Sequence, residues 1–250
     1  MKYLRTIIIV TIFFGIGTIS AQSDLSGIVT YESAINQNKV DNYLKNERDS
    51  LVRKYKNDKK GEFLIQGLDA MYLNTKPIMS KIVFNNGEGL YKVEQDLNID
   101  NSDIGRGTAR ISAGGSNEYY YNIKEDKYLI KEFALGESFI FPNPNLEWAL
   151  TQESKQINGY EVFKATRSEG KVIAWYTPQI PLNFGPKGEY GVPWLILELE
   201  LGKTIFKATK IELNPKREIK VKVPTKGKVV TLEEYKKIME KANRKVFGNN

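Results

Sequence analysis

The chain has 250 residues, of which 41% are hydrophobic and 27% charged, and a formal net charge of +7. These proportions suit a globular protein, and the length suits one generous domain. The sequence contains no Cys and no His, which excludes Ser-His-Asp and Cys-His catalysis, zinc sites of the usual nitrogen and sulfur kind, and acylation on an N-terminal Cys. Carboxylate chemistry, Ser-Lys pairs and oxygen-ligated calcium or magnesium remain open.

Lys2 and Arg5 precede an uncharged apolar run over residues 6–19, which ends in Ser20-Ala21-Gln22. This is the pattern of a secretory signal peptide cut after Ala21. A membrane anchor needs roughly 20 apolar residues, more than this run supplies. No later run is long enough to span a bilayer. The expectation is a leader over 1–21 and one β-rich domain over 22–250, exported to the periplasm or beyond and not integral to a membrane once cleaved.

Residues 28–32 predict the first strand. Residues 36–39 read as a polar turn. Residues 41–55 predict an amphipathic helix with Asp41 near its N-cap, because Val40, Leu44, Leu51, Val52 and Tyr55 fall on one face. Residues 57–61 stop it. Residues 63–73 fit either a second helix or an apolar loop. Residues 78–84 and 90–93 flank a turn as a hairpin. Residues 96–115 are polar and Gly-rich, and predict a long surface loop. Asp96, Asn98 and Asp100 copy the opening of a calcium-binding EF-hand loop. However, Asn101 stands where Gly is required and Gly107 where a bidentate Glu is required, which argues against calcium.

Residues 118–123 and 127–133 form a second hairpin. The run Tyr119-Tyr120-Tyr121 puts aromatic rings on both faces of its first strand. Strands are expected over 139–141, 146–150, 160–165 and 172–176. A loop stiffened by Pro178, Pro181, Pro186 and Pro193 follows, and a strand over 194–200 leaves it; proline fixes φ and donates no hydrogen bond, so such a loop has one preferred course. Gly202-Lys203 turns that strand into another over 204–213. Residues 219–223 alternate apolar and Lys, which predicts a strand with one wet face. Thr231 and Glu234 form a capping box that opens a last helix to about residue 246.

The sum is a mainly β (α+β) protein of roughly eight to ten strands, with one helix in the N-terminal half and one at the C-terminus. A sheet of that size curls or closes. A large curved antiparallel sheet, an open half-barrel with a helix on its concave face, is the expected geometry; a two-sheet sandwich is the rival.

From Lys203 onward there are 14 Lys and Arg against 5 Glu. Such a surface suits anionic lipid, lipopolysaccharide or nucleic acid. The Lys residues are interspersed with apolar ones, which favours a solvated face and argues against nucleic acid. Gly105-Arg106-Gly107 and Gly114-Gly115 match no nucleotide-binding pattern, so no cofactor and no metal are expected. Glu198 and Glu200 alternate outward on a strand, where such pairs are solvated; a glycosidase needs two converging carboxyls in a cleft. The better functional lead is aromatic. Trp148, Trp175, Tyr176, Tyr190 and Trp194 crowd one segment, either as core or as an apolar groove for a lipid, a peptide or a partner strand.

The run Gly191-Val192-Pro193-Trp194-Leu195-Ile196-Leu197-Glu198 resembles the motif that names the GLPGLI family of secreted Bacteroidetes proteins. Trp148, Lys155, Ile157-Asn158-Gly159-Tyr160, Lys164-Ala165, Ala174-Trp175-Tyr176-Thr177-Pro178, Ile180-Pro181 and Gly185-Pro186 agree in order. Trp194 replaces the second Gly of the name, and Val162 stands where Cys is frequent. The resemblance implies an exported envelope protein of unknown function, and it carries over no catalytic residue. Three functions follow as expectations: a non-catalytic binder of an apolar ligand or envelope partner, a carboxylate-dependent hydrolase of envelope or extracellular glycans, and a partner subunit of an outer-membrane assembly.

Overall fold

The computed structural model describes residues 25–73, 76–95 and 104–247. The leader expected over 1–21 and the Asp96–Asp100 segment lie outside the described residues. The strands are β1 (Ser26–Ile35), β2 (Ile78–Asn85), β3 (Glu88–Val93), β4 (Glu118–Asn122), β5 (Lys127–Ala134), β6 (Glu137–Pro142), β7 (Ala149–Ile157), β8 (Tyr160–Arg167), β9 (Val172–Thr177), β10 (Leu195–Leu201), β11 (Thr204–Leu213) and β12 (Lys228–Val229). The helices are α1 (Gln37–Asn42), α2 (Arg48–Lys54), α3 (Lys59–Leu73), α4 (Ile104–Ala113) and α5 (Leu232–Phe247).

All twelve strands form one open sheet, in the order β12-β6-β5-β4-β3-β2-β1-β11-β10-β9-β8-β7. Two meanders, β1 to β6 and β7 to β11, meet along the antiparallel pair β1–β11. Only β12 runs parallel to its neighbour, β6, so the sheet is mixed rather than wholly antiparallel. The rival sandwich does not form. Strand alternation sets the faces: Val29, Tyr31 and Ser33 of β1, Ile82 and Phe84 of β2, and Tyr91 and Val93 of β3 all point to the inner face and are buried.

The loop over 178–194 lies in that inner face and forces the sheet to curl. Tyr121 on β4 donates its hydroxyl to the Gly185 carbonyl at 2.7 Å. A Cβ placed on Gly185 would sit 2.7 Å from Ile196 of β10, so the two are packed directly together. Five strand intervals separate β4 from β10, about 24 Å in a flat sheet. One loop residue touches both, so the sheet must wrap around it. Ile180, Leu182, Phe184, Tyr190 and Val192 of the loop join side chains of β1 to β5 and β8 to β11 in one buried cluster. The concave face is therefore filled chiefly by the chain's own loop, and only in part by helices, α4 and α5.

Several local expectations are corrected. The first helix starts at Gln37, not at Asp41: Asn36 is the N-cap, and its side-chain oxygen accepts the Asn38 N–H at 3.0 Å. A π-helical turn over Tyr43–Glu47 carries it into α2. The widened turn swings Tyr43 inward, where its ring stacks on Tyr72 at 4.5 Å. It also brings Arg48 onto Asp69 through two bonds of 2.8 and 2.7 Å. The ambiguous 63–73 segment is helical, as part of α3. Its start at Lys59 falls within the stretch expected to be a stop.

The expected loop over 96–115 holds α4. Gly105, Ala109 and Ala113 recur every fourth residue and are all buried. Small side chains on one helical face let the backbone approach the sheet closely, and Tyr91 donates to the Ala113 carbonyl at 2.6 Å. Gly114 and Gly115, both at positive φ, end the helix. The strand expected over 146–150 begins only at Ala149 and runs to Ile157.

The alternating stretch 219–223 is not a strand. It is part of a strap that crosses the outer face. Asn214 donates its N–H to the Ser26 carbonyl at 2.7 Å. Asn85 then donates to the Ile219 carbonyl at 2.9 Å. Beyond Gly227 the strap pairs with β6 as β12. Its alternation fades along the stretch: Lys220 and Lys222 are exposed, while Ile219 is buried, Val221 half-buried and Val223 exposed. Its partner is the flat of the sheet and not an edge. Leu90, Tyr120 and Asn122, outer-face residues of β3 and β4 on this route, are buried. The last helix opens on the expected capping box, with the Glu234 N–H donated to Thr231 Oγ1 at 3.1 Å and the Thr231 N–H to the Glu234 carboxylate at 2.8 Å. No helix of the described residues is long and apolar enough to cross a membrane.

Candidate functional site

The five aromatic residues singled out by sequence do not share one groove. Trp175 points to the outer face, opposite Glu198 in the β9–β10 pair. There Lys155 sits over its ring at 4.1 Å and bonds Glu198 at 2.6 Å. Glu198 is consequently buried rather than solvated as expected. Tyr176 points to the inner face and stacks on Trp194, with ring centroids 5.8 Å apart. Tyr190 is buried against Tyr128, the rings stacked at 3.8 Å. Trp148 is half-buried and donates Nε1 to the Tyr190 carbonyl at 2.8 Å. Within the motif, Val192, Leu195 and Ile196 are buried, while Gly191 and Pro193 are exposed. Gly191 has φ +92, and a Cβ there would lie 2.9 Å from the Leu146 carbonyl. The motif thus seals the loop into the sheet.

That loop holds a buried charge cluster. Glu189 is 5% exposed and accepts from Nε and Nη2 of Arg167, at 3.0 and 2.5 Å. Burial pushes the Glu189 carboxyl above its ordinary range, and Arg167 and Lys187 only partly offset that push. Lys187 has a positive φ and donates to the Ser112 carbonyl at 2.6 Å, tying the loop to α4. Burial lowers its pKa. The Arg167 guanidinium lies 5.4 Å from the Trp148 ring. Every member of the cluster is engaged, so it works as a lock on the loop. Among the described residues no three acidic side chains gather to hold a metal.

Open apolar space lies elsewhere, beneath the strap. A groove of about 620 Å³ runs between the outer face of β5 and β6 and the strap. Leu129, Ile140, Pro142, Val223, Pro224 and Val229 supply its apolar walls. Its polar lining is sparse: Lys127, Thr225, Thr231 and Glu234. The local sequence explains the gap. Pro224 has no N–H to pair with a strand. Gly227 passes so close to β6 that a Cβ would meet the Ser138 carbonyl at 2.9 Å. The strap therefore touches β6 at β12 and stands off beside it. Val229, 80% exposed, lies at the rim.

The groove's lining carries one cation, Lys127, and one anion, Glu234. Glu234 is held by Thr231 through its backbone N–H and its hydroxyl, and those bonds keep its carboxyl below the ordinary range. Lys228 is paired with Glu137 at 2.7 Å, and Lys220 with Glu218 at 3.1 Å. Lys127 has no ion pair among the described residues, nor do Lys222 and Lys226, which flank lining positions of the strap. Sequence reasoning missed this site. Its signal was the apolar pairs Val223-Pro224 and Val229-Val230 inside a Lys-rich stretch, which charge counting alone averages away.

A family model described as "Protein of unknown function (Porph_ging)" matches residues 166–198. That family is associated with Bacteroidetes, and the match fits the GLPGLI-type resemblance of the same segment. No curated protein matches the chain. Among solved structures, the chain is similar to PNGF-II in crystals of space group P21, at 16% identity and a TM-score of 0.47, covering 88% of this chain and 34% of that one. The C2 crystals of PNGF-II give the same identity and score, with 33% of that chain covered. The chain spans about a third of the length of these structures.

Proposed function

We propose that the protein is an exported, non-catalytic envelope component that binds an apolar ligand in the groove beneath its strap. The observation that supports this is the groove itself. Its volume of about 620 Å³ lies within the range of about 300–1,000 Å³ usual for small-molecule sites, and an apolar wall with few polar groups is their usual lining. Among the described residues, the concave face is occupied by the 178–194 loop. The leader-like N-terminus supports export. Glu189 is committed to Arg167, Lys187 to the Ser112 carbonyl and Glu198 to Lys155, which supports a binding role over bond-making.

The test is saturable binding of Nile red, a neutral apolar dye. The wild-type protein is expected to bind it at one site, and Val229→Glu to weaken that binding at least fivefold with the fold intact by circular dichroism. Absence of saturable binding by the wild-type protein would sink the proposal.

A further inference from the structure

We infer that the groove's ligand is a single-chain anionic amphiphile, with its acyl chain along the apolar wall and its acidic head at Lys127; this rests on the binding role proposed above. Three observations carry it. First, apolar side chains of both sheet and strap line the groove, so a hydrocarbon chain lying in it touches both. Second, Lys127 opens β5 at the polar margin of that wall and has no ion pair among the described residues. Third, the one acidic side chain in the lining, Glu234, is drawn to the start of α5, where one carboxylate oxygen accepts from the Thr231 N–H and hydroxyl at 2.8 and 3.1 Å. It stays charged, but the strap over 214–230 outweighs it with six Lys and Arg against one Glu.

Both signs surround the head position, cations on the strap and anions on the turn before Lys127. Lys222 and Lys226 flank the lining positions Val223 and Thr225 and are exposed. Glu125 and Asp126 precede Lys127 on the turn between β4 and β5, but neither lines the groove. An uncharged amphiphile would leave the cationic margin unused, and a cationic one would meet it unfavourably. A carboxylate or phosphate head completes it, and Lys suits either as a point charge.

The experiment uses the whole mature chain and two probes of one chain length, decanoate and decan-1-ol, each displacing Nile red at low salt. Decanoate is expected to bind about three- to tenfold more tightly than decan-1-ol, an advantage that shrinks in 0.5 M NaCl because an exposed charge contact is screened. Lys127→Gln is expected to erase the advantage; Lys127→Arg is expected to retain it. Equal binding of the two probes by the wild-type protein, or an advantage that survives Lys127→Gln, would overturn the head-group assignment and leave the apolar site standing. Failure of both probes to displace the dye would overturn the site as well. A dimer that Val229→Glu dissolves in sedimentation would give the groove to a second copy of the chain and overturn the proposal.

Discussion

Arg167 on β8 grips Glu189 through both carboxylate oxygens, and the contact pins the proline-rich loop to the sheet that encloses it. The two residues are not equivalent under substitution. Arg167→Met strands a carboxylate with almost no access to water, at a cost of about 3–5 kcal/mol. Glu189→Gln leaves a guanidinium that is less deeply buried, and is expected to cost less. The double variant Arg167→Met/Glu189→Gln is expected to recover stability relative to Arg167→Met alone. Urea denaturation of the four proteins closes this cycle; additive costs would show that the pair is not coupled.

The same carboxyl has a signature in pH. Its folded pKa is raised above the ordinary 4.5, first by burial. Between 4.5 and the raised value the folded protein holds a proton that the unfolded chain has released, so this group's contribution to stability falls as pH rises through that window. Asp69 behaves oppositely. Arg48 above all, and then Tyr43, hold its carboxyl below the ordinary 3.8. Its contribution is complete above 3.8 and is lost as pH falls through the lowered value. Melting curves from pH 3 to pH 7 are expected to show Glu189→Gln removing a decline with rising pH above 4.5, and Asp69→Asn removing a loss on the acid side. Unaltered pH profiles in both variants would contradict the assignments.

Gly188 is the least replaceable residue of the loop. It has φ +84, and a Cβ would sit 2.6 Å from the Tyr119 ring. Its N–H is donated to the Tyr121 hydroxyl at 3.0 Å, and its carbonyl accepts from Asn143 at 2.6 Å. Gly188→Ala is expected to cost about 2–4 kcal/mol, from backbone strain and overpacking together. Gly159 has a similar φ of +80 but open space around it. Gly159→Ala therefore isolates strain alone, at about 1–2 kcal/mol. Equal costs at the two sites would show that crowding adds nothing.

The last helix is held to the inner face of β6 by few groups. Tyr235 stacks on Phe141 at 4.2 Å and leans on Phe139 at 5.5 Å. Tyr235→Ala removes about 3 kcal/mol or more of aromatic packing, nearly all of it local. Limited proteolysis is expected to cut the variant within α5 at least tenfold faster than the wild-type protein, while cleavage in the hairpins of β1 to β5 is unchanged. Uniform acceleration along the chain would instead show that α5 is integral to the sheet.

The hairpins, the stiff loop and the final capping box were legible because each rests on local chemistry: Gly202 at its turn, four prolines, and Thr231 with Glu234. The family match over 166–198 falls on the same legible segment. What failed was tertiary in origin. The Gly105, Ala109, Ala113 stripe of α4 reads as a loop, because small residues carry little hydrophobic signal until a sheet lies against them. Residues 219–223 alternate as a strand does, but alternation reports only that one side is buried. It cannot distinguish an edge partner from a face. The π turn at Tyr43 arises from Asp69 and Tyr72, more than twenty residues away. The groove is space left by the strap's stand-off, and no single residue encodes it.

The join between β1 and β11 has a consequence for how the molecule comes into being. Ser26 and Asn214, bonded across it, stand 188 positions apart. A chain growing from its N-terminus can assemble β1 to β6 early, yet the outer flank of β1 stays open until β11 has been synthesised. Closing so distant a contact is slow, and an unpaired flank invites wrong partners meanwhile. The protein therefore reaches its finished state only once β11 has closed on β1, and until then that flank is its most vulnerable edge.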